Sequence, residues 1–334
     1  MKLLLFDSFF SARLAWNPYL CSAKTGRGYR WHSPAVNVVR FASGLLCCNL
    51  VAALTSCGDA DELSSESVIT VDQVSYTEFD YWLQRNYVAP YNIAFKYRYE
   101  DNESDMNYYT VPSRLEDAVK IAHLVKYLCL EAYDETGGIT FTRTYFPKLI
   151  FTIGEWEYNN NGTYILGTAE GGRKILLSGT NYIDLYSSNA DDLNTYYIRT
   201  IHHEFTHILN QTKVYSADYK LITGSDYVAD KWNSYPYSVD YLKRGFITNY
   251  AQHSDAEDFA EMLSVFVCNS EQRWNDWMQQ AGDEGSRLIS AKLNIVDDYM
   301  RTAFNINLYD LRAAVQRRQA EVIGGGISLT DLNN

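Results

Sequence analysis

His203-Glu204-Phe205-Thr206-His207 sets two imidazoles four residues apart, with a carboxylate between them. On an α-helix, positions i and i+4 share a face, so both rings can reach one cation. Neutral imidazole suits Zn2+, and two ligands leave room for a third and for water. Glu204 is offset from both rings, so it can stand beside that water and take its proton, as a general base must. Ile198, Ile201, Phe205 and Ile208 give the segment a helical apolar spacing. The chemistry these residues suggest is hydrolysis assisted by one zinc ion.

The third ligand must come from elsewhere. In the pattern His-Glu-x-x-His-x-x-Gly-x-x-His, the Gly position is Asn210 and the last His position is Lys213, so a third motif histidine is excluded. Glu257 and Glu261 sit on one face of a second predicted helix, with Phe259, Met262, Leu263 and Phe266 on its apolar side. Two carboxylates at that spacing repel unless a cation lies near them. A solvated acidic face is one reading. The better one makes Glu257 a metal ligand and Glu261 the partner of a ligating histidine. His253 is a rival third ligand or a substrate contact. His202, off the motif face, reads as a core or supporting residue, and His123 as a structural one.

Taken together, His203-Glu204-Phe205-x-His207, Tyr250 and Glu257-x-Phe259-Ala260-Glu261 resemble the catalytic core of anthrax lethal factor over His203–Val267. The spacing from His207 to Glu257 is longer here. The same residues resemble the zinc-binding metallopeptidase lipoproteins of Bacteroidota, called substrate import-associated zinc metallohydrolases. That resemblance extends over the whole mature chain. It implies a zincin-like, gluzincin-type fold with a small mixed sheet packed on the active-site helix. It also implies His203, His207 and Glu257 as zinc ligands, Glu204 as base and Glu261 orienting His203. Tyr250 would give its hydroxyl to the developing oxyanion.

The N-terminus reads as an address. Residues 1–56 carry six Lys/Arg and one acid, and an apolar run spans Phe41 to Leu54. That run is short of the ~20 residues that span a bilayer, but it fits a signal-peptide core. Leu54-Thr55-Ser56-Cys57 resembles a bacterial lipobox with Cys57 as the lipidated residue. Gly58-Asp59-Ala60-Asp61-Glu62 resembles the surface-export signal of Bacteroidota lipoproteins. The expected domains are a signal peptide over 1–56, a lipidated acidic tether over 57–72 and the catalytic domain over 73–334. No Met lies between Met1 and Met106, and the basic flank is long, which suggests a start nearer Val36. These features predict a lipid-anchored outer-membrane protein displayed at the surface. Its partners would be a peptide or protein substrate, the membrane, a TonB-dependent importer and that importer's surface binding lipoprotein.

Further elements must position the motif. The spacing predicts helices over Val74–Tyr87, from a Ser113–Glu116 capping box to Asp134, and over Asp191–Gln211, Asp255–Cys268, Arg273–Gln280, Ser286–Phe304 and Tyr309–Val322. Strands are predicted at Tyr91–Tyr99, Ile139–Tyr145, Lys148–Ile153, Lys174–Leu177 and Tyr182–Tyr186, with a turn at Asn159–Gly162. The stretch from Val214 to Gln252 is Tyr-rich and irregular. The order of helix, sheet and helices indicates an α+β class in one catalytic unit. The strand at Lys174–Leu177 is the expected sheet edge for an extended peptide. Cys129 and Cys268 fit two buried thiols or a disulfide.

Hydrophobic residues at 46% and charged residues at 21% exclude a disordered chain. The net charge of −12, more negative once residues 1–56 are removed, argues against a nucleic-acid partner. Two rival functions stand beside the peptidase: an inactive ligand-binding lipoprotein of the import system, and a zinc hydrolase of a non-peptide bond. Glu204 argues against the inactive form, because binding alone needs no base.

Overall fold

Thr77 opens the first described helix, α1 (Glu78–Leu83). Its hydroxyl accepts from the Asp80 N–H, and the Asp80 side chain accepts from the Thr77 N–H. The computed structural model describes residues 75–159 and 164–333. Cys57 and every expectation for residues 1–74 lie outside them, as does most of the turn expected at Asn159–Gly162. The helix continues through a π turn, Gln84–Val88, and a last turn, Ala89–Tyr91. The expected strand from Tyr91 shrinks to β1 (Ala94–Lys96).

The next helix starts at α2 (Leu115–Val125), passes a π turn at Lys126–Leu130 and ends as α3 (Glu131–Gly137). The Ser113–Glu116 capping box does not form. The Ser113 hydroxyl instead bonds Thr152 and Thr180, and Arg114 takes the cap position without a side-chain cap bond. Gly138, at φ 80, breaks the chain and starts α4 (Ile139–Tyr145), which was expected to be a strand. Its β-branched and aromatic composition is overridden by packing, because Phe141 lies against the rings of Tyr133 and Phe205.

Strands β2 (Leu149–Thr152), β3 (Glu157–Tyr158), β4 (Tyr164–Ile165), β5 (Gly167–Glu170) and β6 (Lys174–Leu177) follow. β3 and β4 pair antiparallel. The main sheet has the order β1-β2-β6-β5, parallel except for the antiparallel β5–β6 pair. β6 is therefore interior and every residue in it is buried. Lys174–Leu177 is thus not the sheet edge expected there; the edge strands are β1 and β5. Tyr182–Tyr186 is also not a strand: a 3-10 turn leads into α5 (Ile183–Tyr186).

The motif helix begins at α6 (Ala190–Leu193), capped by the Asn189 side chain. It runs through a π turn, Asn194–Ile198, into α7 (Arg199–Thr212). Its apolar face buries Phe205 among the rings of Tyr133, Phe141 and Phe146. Gly167 lets β5 lie close against α7, since a Cβ there would come within 2.8 Å of the Thr200 methyl. The segment beyond holds only a short helix, α8 (Asp218–Ile222), and 3-10 turns, as its irregular sequence suggests.

The second helix, α9 (Asp255–Cys268), packs against α7. Ser254 caps it by accepting from the Glu257 N–H, and Asp255, Glu257 and Asp258 place acids in the first turn, where the helix dipole favours them. The two helices expected next both form within Glu271–Phe304 (α10), which is divided by a kink at Gly282, where φ 68 and ψ −176 are not helical. The last is α11 (Leu308–Ile323). The result is a mixed α+β unit in which a small mixed sheet and α9 flank α7. Among the described residues, no helix is long and apolar enough to cross a membrane.

Candidate metal centre

α7 and α9 together bring three donor atoms to one point. His203 Nε2 lies 3.0 Å from Glu257 Oε2, His207 Nε2 lies 3.2 Å from the same oxygen, and the two nitrogens are 3.1 Å apart. Ligands at about 2.0–2.1 Å from a tetrahedral zinc ion sit roughly 3.3 Å from one another, close to the edges of this triangle. The donor chemistry fits as well. The Nδ1 of His203 is 2.9 Å from Glu261 Oε1, so that nitrogen carries the hydrogen and Nε2 presents a lone pair. A lone pair facing a carboxylate oxygen and a second imidazole is repulsive unless a cation or a proton lies between them. Among the described residues, this is the one group of three with metal-ligand geometry.

The electrostatics carry the same signature. Burial disfavours charge on His203, yet its bonds to Glu257 and Glu261 outweigh this and raise its pKa to about 10. Burial pushes the Glu257 carboxyl up, but the bonds to His203 and His207 hold it well below the usual carboxylate range. Glu261 is fully buried, which raises its pKa. Arg199, His203 and Thr248 lower it to a net value of about 2. Left to itself, the triangle captures a proton where a cation fits.

Glu204 is buried and held apart from the triangle. Burial raises its pKa, while His203 and His207 lower it. Its carboxyl accepts from the Ala169 N–H. The strand register explains that bond. Ser178 N–H donates to Leu166 C=O, so the bonded pairs fall on Leu166, Thr168 and Glu170. Gly167 and Ala169 then turn their backbone groups outward, along the free edge of β5.

Tyr250, on the 3-10 turn Tyr250–Gln252, is buried with its ring 6.1 Å from that of His203. Burial, then the charges of Glu257, Glu204 and Glu261, raise its pKa far above the ordinary value, so it keeps its proton. His253 is not in the donor group; it stacks beside Tyr250 at 5.8 Å. His202 is fully buried on another face of α7. Its Nδ1 lies 3.0 Å from the Tyr133 hydroxyl, and burial lowers its pKa to about 3. His123 stacks on Trp82 and bonds two backbone carbonyls, far from the motif in role. Cys129 and Cys268 are buried free thiols.

Three participants were not foreseen. Thr248 donates to Glu261 Oε2 at 2.6 Å. Arg199 adds a positive charge near Glu261, and its place four residues before His203 on one helix face was a readable signal. The Ala169 N–H had none, because a backbone group has no side-chain signature.

The family described as "Putative zinc-binding metallo-peptidase" matches residues 72–309. The chain belongs to this family. A solved structure of a protein from Bacteroides caccae ATCC 43185, described as a putative zinc-binding metallo-peptidase, is 40% identical in sequence. The match covers 80% of this chain and 100% of that one, with a TM-score of 0.67. No curated protein is significantly similar to the chain. The family match includes the donor triangle, Glu204 and Tyr250, all within the matched span.

Proposed function

We propose that this family member is a zinc-dependent peptidase with a zincin-like, gluzincin-type site. The observation that carries the reading is the convergence of His203 Nε2, His207 Nε2 and Glu257 Oε2 beside a separately held Glu204. His203, His207 and Glu257 would hold one zinc ion. Such an ion polarises a carbonyl and acidifies water. Glu204 takes a proton from the attacking water and passes it to the leaving amine. Its raised affinity for a proton suits that task, because the carboxyl must carry the proton for part of the cycle. Tyr250 remains protonated and donates its hydroxyl to the oxyanion. Glu261 holds the Nδ1 hydrogen of His203, which fixes the ring's tautomer. With the Ala169 N–H held by Glu204, the outward Gly167 N–H and the C=O groups of Gly167 and Ala169 offer an extended peptide a strand to pair with.

The decisive experiment measures metal and turnover together. The purified protein should hold one zinc per chain and cleave a peptide pool. Glu204→Ala should keep the zinc and lose about 10²–10⁴-fold in kcat. Zinc without any peptide cleavage would remove the peptidase reading and favour a non-peptide bond or simple ligand capture.

We also propose that Cys57 anchors the protein by lipid to the outer membrane, facing outward, where it serves a TonB-dependent importer and its binding lipoprotein. The support is the residue pattern around Cys57. Radiolabelled palmitate should label the wild type and not Cys57→Ala. Failure of external protease to shave it from whole cells would refute surface display.

A further inference from the structure

Tyr250 is buried, yet it does not belong to the main core. It forms a small separate cluster whose other buried member is Trp232, with Val228 packed alongside. Trp232 lies in the 3-10 turn Ala229–Asn233 and meets the Tyr250 ring edge-to-face, with centroids 5.1 Å apart at 82°. His203 and His253 supply the other ring neighbours, at 6.1 and 5.8 Å. Aromatic rings thus wall the phenol, while its hydroxyl bonds Glu257 at the donor triangle.

The wall made by Trp232 is itself fastened. The Val228 N–H donates to the Gln252 carbonyl at 2.8 Å. Gln252 is buried, accepts from Arg244 and donates to the Tyr237 carbonyl. Asp230 lies 3.5 Å from His253 Nε2. Ala229 holds φ 48, a conformation that a non-glycine residue keeps only with tertiary support. The Val228 and Asp230 contacts bind the segment around Trp232 to the turn that carries Tyr250, and the Gln252 bonds fasten that turn to Tyr237 and Arg244.

We infer that Trp232 is a positioning residue: it holds the Tyr250 ring so that the hydroxyl stays at the donor triangle. The effect on rate rests on the hydrolase reading above; the hold itself does not. A donor displaced by about 1 Å forfeits much of its effect, on the order of 100-fold.

The test uses the zinc-loaded full chain as wild type, Trp232→Ala, Trp232→Phe, Tyr250→Phe and the Trp232→Ala/Tyr250→Phe double variant. Trp232→Ala should lower kcat by about 10- to 100-fold, with KM and zinc content unchanged. Trp232→Phe should recover most of the loss. The double variant should fall within about twofold of Tyr250→Phe alone, since both changes remove one function. Hydrogen exchange should quicken over residues 249–253 and not over 203–207. Losses that multiply, or a Trp232→Ala enzyme with wild-type kcat, overturn the inference. If Trp232→Ala does not fold, Trp232→Leu replaces it under the same criteria. If the wild type cleaves nothing, the hydrolase reading falls and exchange alone decides: unchanged protection over 249–253 overturns the hold.

Discussion

Glu257 and Asp258 follow one another at the start of α9, about 100° apart around the helix, and they enter unlike surroundings. Asp258 is fully buried against Lys292, with Nζ 2.6 Å from Oδ2, and the Tyr227 hydroxyl donates to the same oxygen at 2.8 Å. Lys292 also donates to the Gly245 carbonyl at 2.8 Å and lies 3.9 Å over the Phe246 ring. Burial raises the Asp258 pKa and lowers that of Lys292, and their mutual attraction opposes both shifts. Glu257 has two imidazoles and no ammonium or guanidinium against it. One carboxylate sits in a charge-complete pair; the other belongs to a cluster that needs a cation from outside. Burial of charge alone does not mark a functional centre. A cluster whose donors face each other without a donor-side partner does.

The sharpest way to break this contrast is Glu257→Ala. Loss of a ligand should weaken zinc binding by more than about 100-fold, beyond what supporting residues contribute. Zinc titration by competition with a chelator would expose a retained affinity, which sinks the ligand assignment. Next in size is Lys292→Met, which leaves Asp258 buried without a counter-charge. It should destabilise the fold by about 3–5 kcal/mol, while the Asp258→Leu/Lys292→Met pair should be close to neutral. Both should bind zinc normally, as denaturant melts and metal analysis will tell.

Glu261→Gln should act on the metal and not on the fold. Removing the charge behind His203 should cost roughly 10- to 100-fold in zinc affinity. A larger loss of stability than of affinity would make Glu261 a core residue instead.

The smallest expected effect is at Glu157 on β3. Burial, then Asp105 and Glu170, raise its pKa to about 7, and one carboxyl oxygen is buried without a partner. The folded pKa lies above the ordinary 4.5. The favourable contribution is therefore present below pH 4.5 and lost as pH rises through about 7. Glu157→Gln should stabilise the protein by roughly 1–2 kcal/mol at pH 8 and leave it unchanged at pH 4. Thermal melts at the two pH values decide it.

Much of the site was legible because its signals are side chains at helical spacing. The limits of α9 are marked by Ser254 and Asn269, and the carboxylates at Glu257 and Glu261 share a face. α7 shows its periodic apolar residues and motif directly. Less could be read where packing overrides composition. Ile139–Tyr145 and Tyr182–Tyr186 are rich in β-forming residues, yet helical packing claims them. Ser113 had the composition of a cap but bonds a strand and a turn across the fold. Whether Lys174–Leu177 lay inside or at the rim of the sheet depended on β5 pairing beside it, and four residues carry no mark of sheet order.

Gly167 gives the seam between β5 and α7 a mechanical tolerance. A single added methyl would meet the Leu176 carbonyl at 2.6 Å and the Thr200 side chain at 2.8 Å, so β5 would have to lift away from α7. Ala169, two residues along the same strand, would travel with it and release Glu204. The bare α-carbon at 167 thus works as a machined clearance, setting from a distance how closely Glu204 and β5 are gauged to each other.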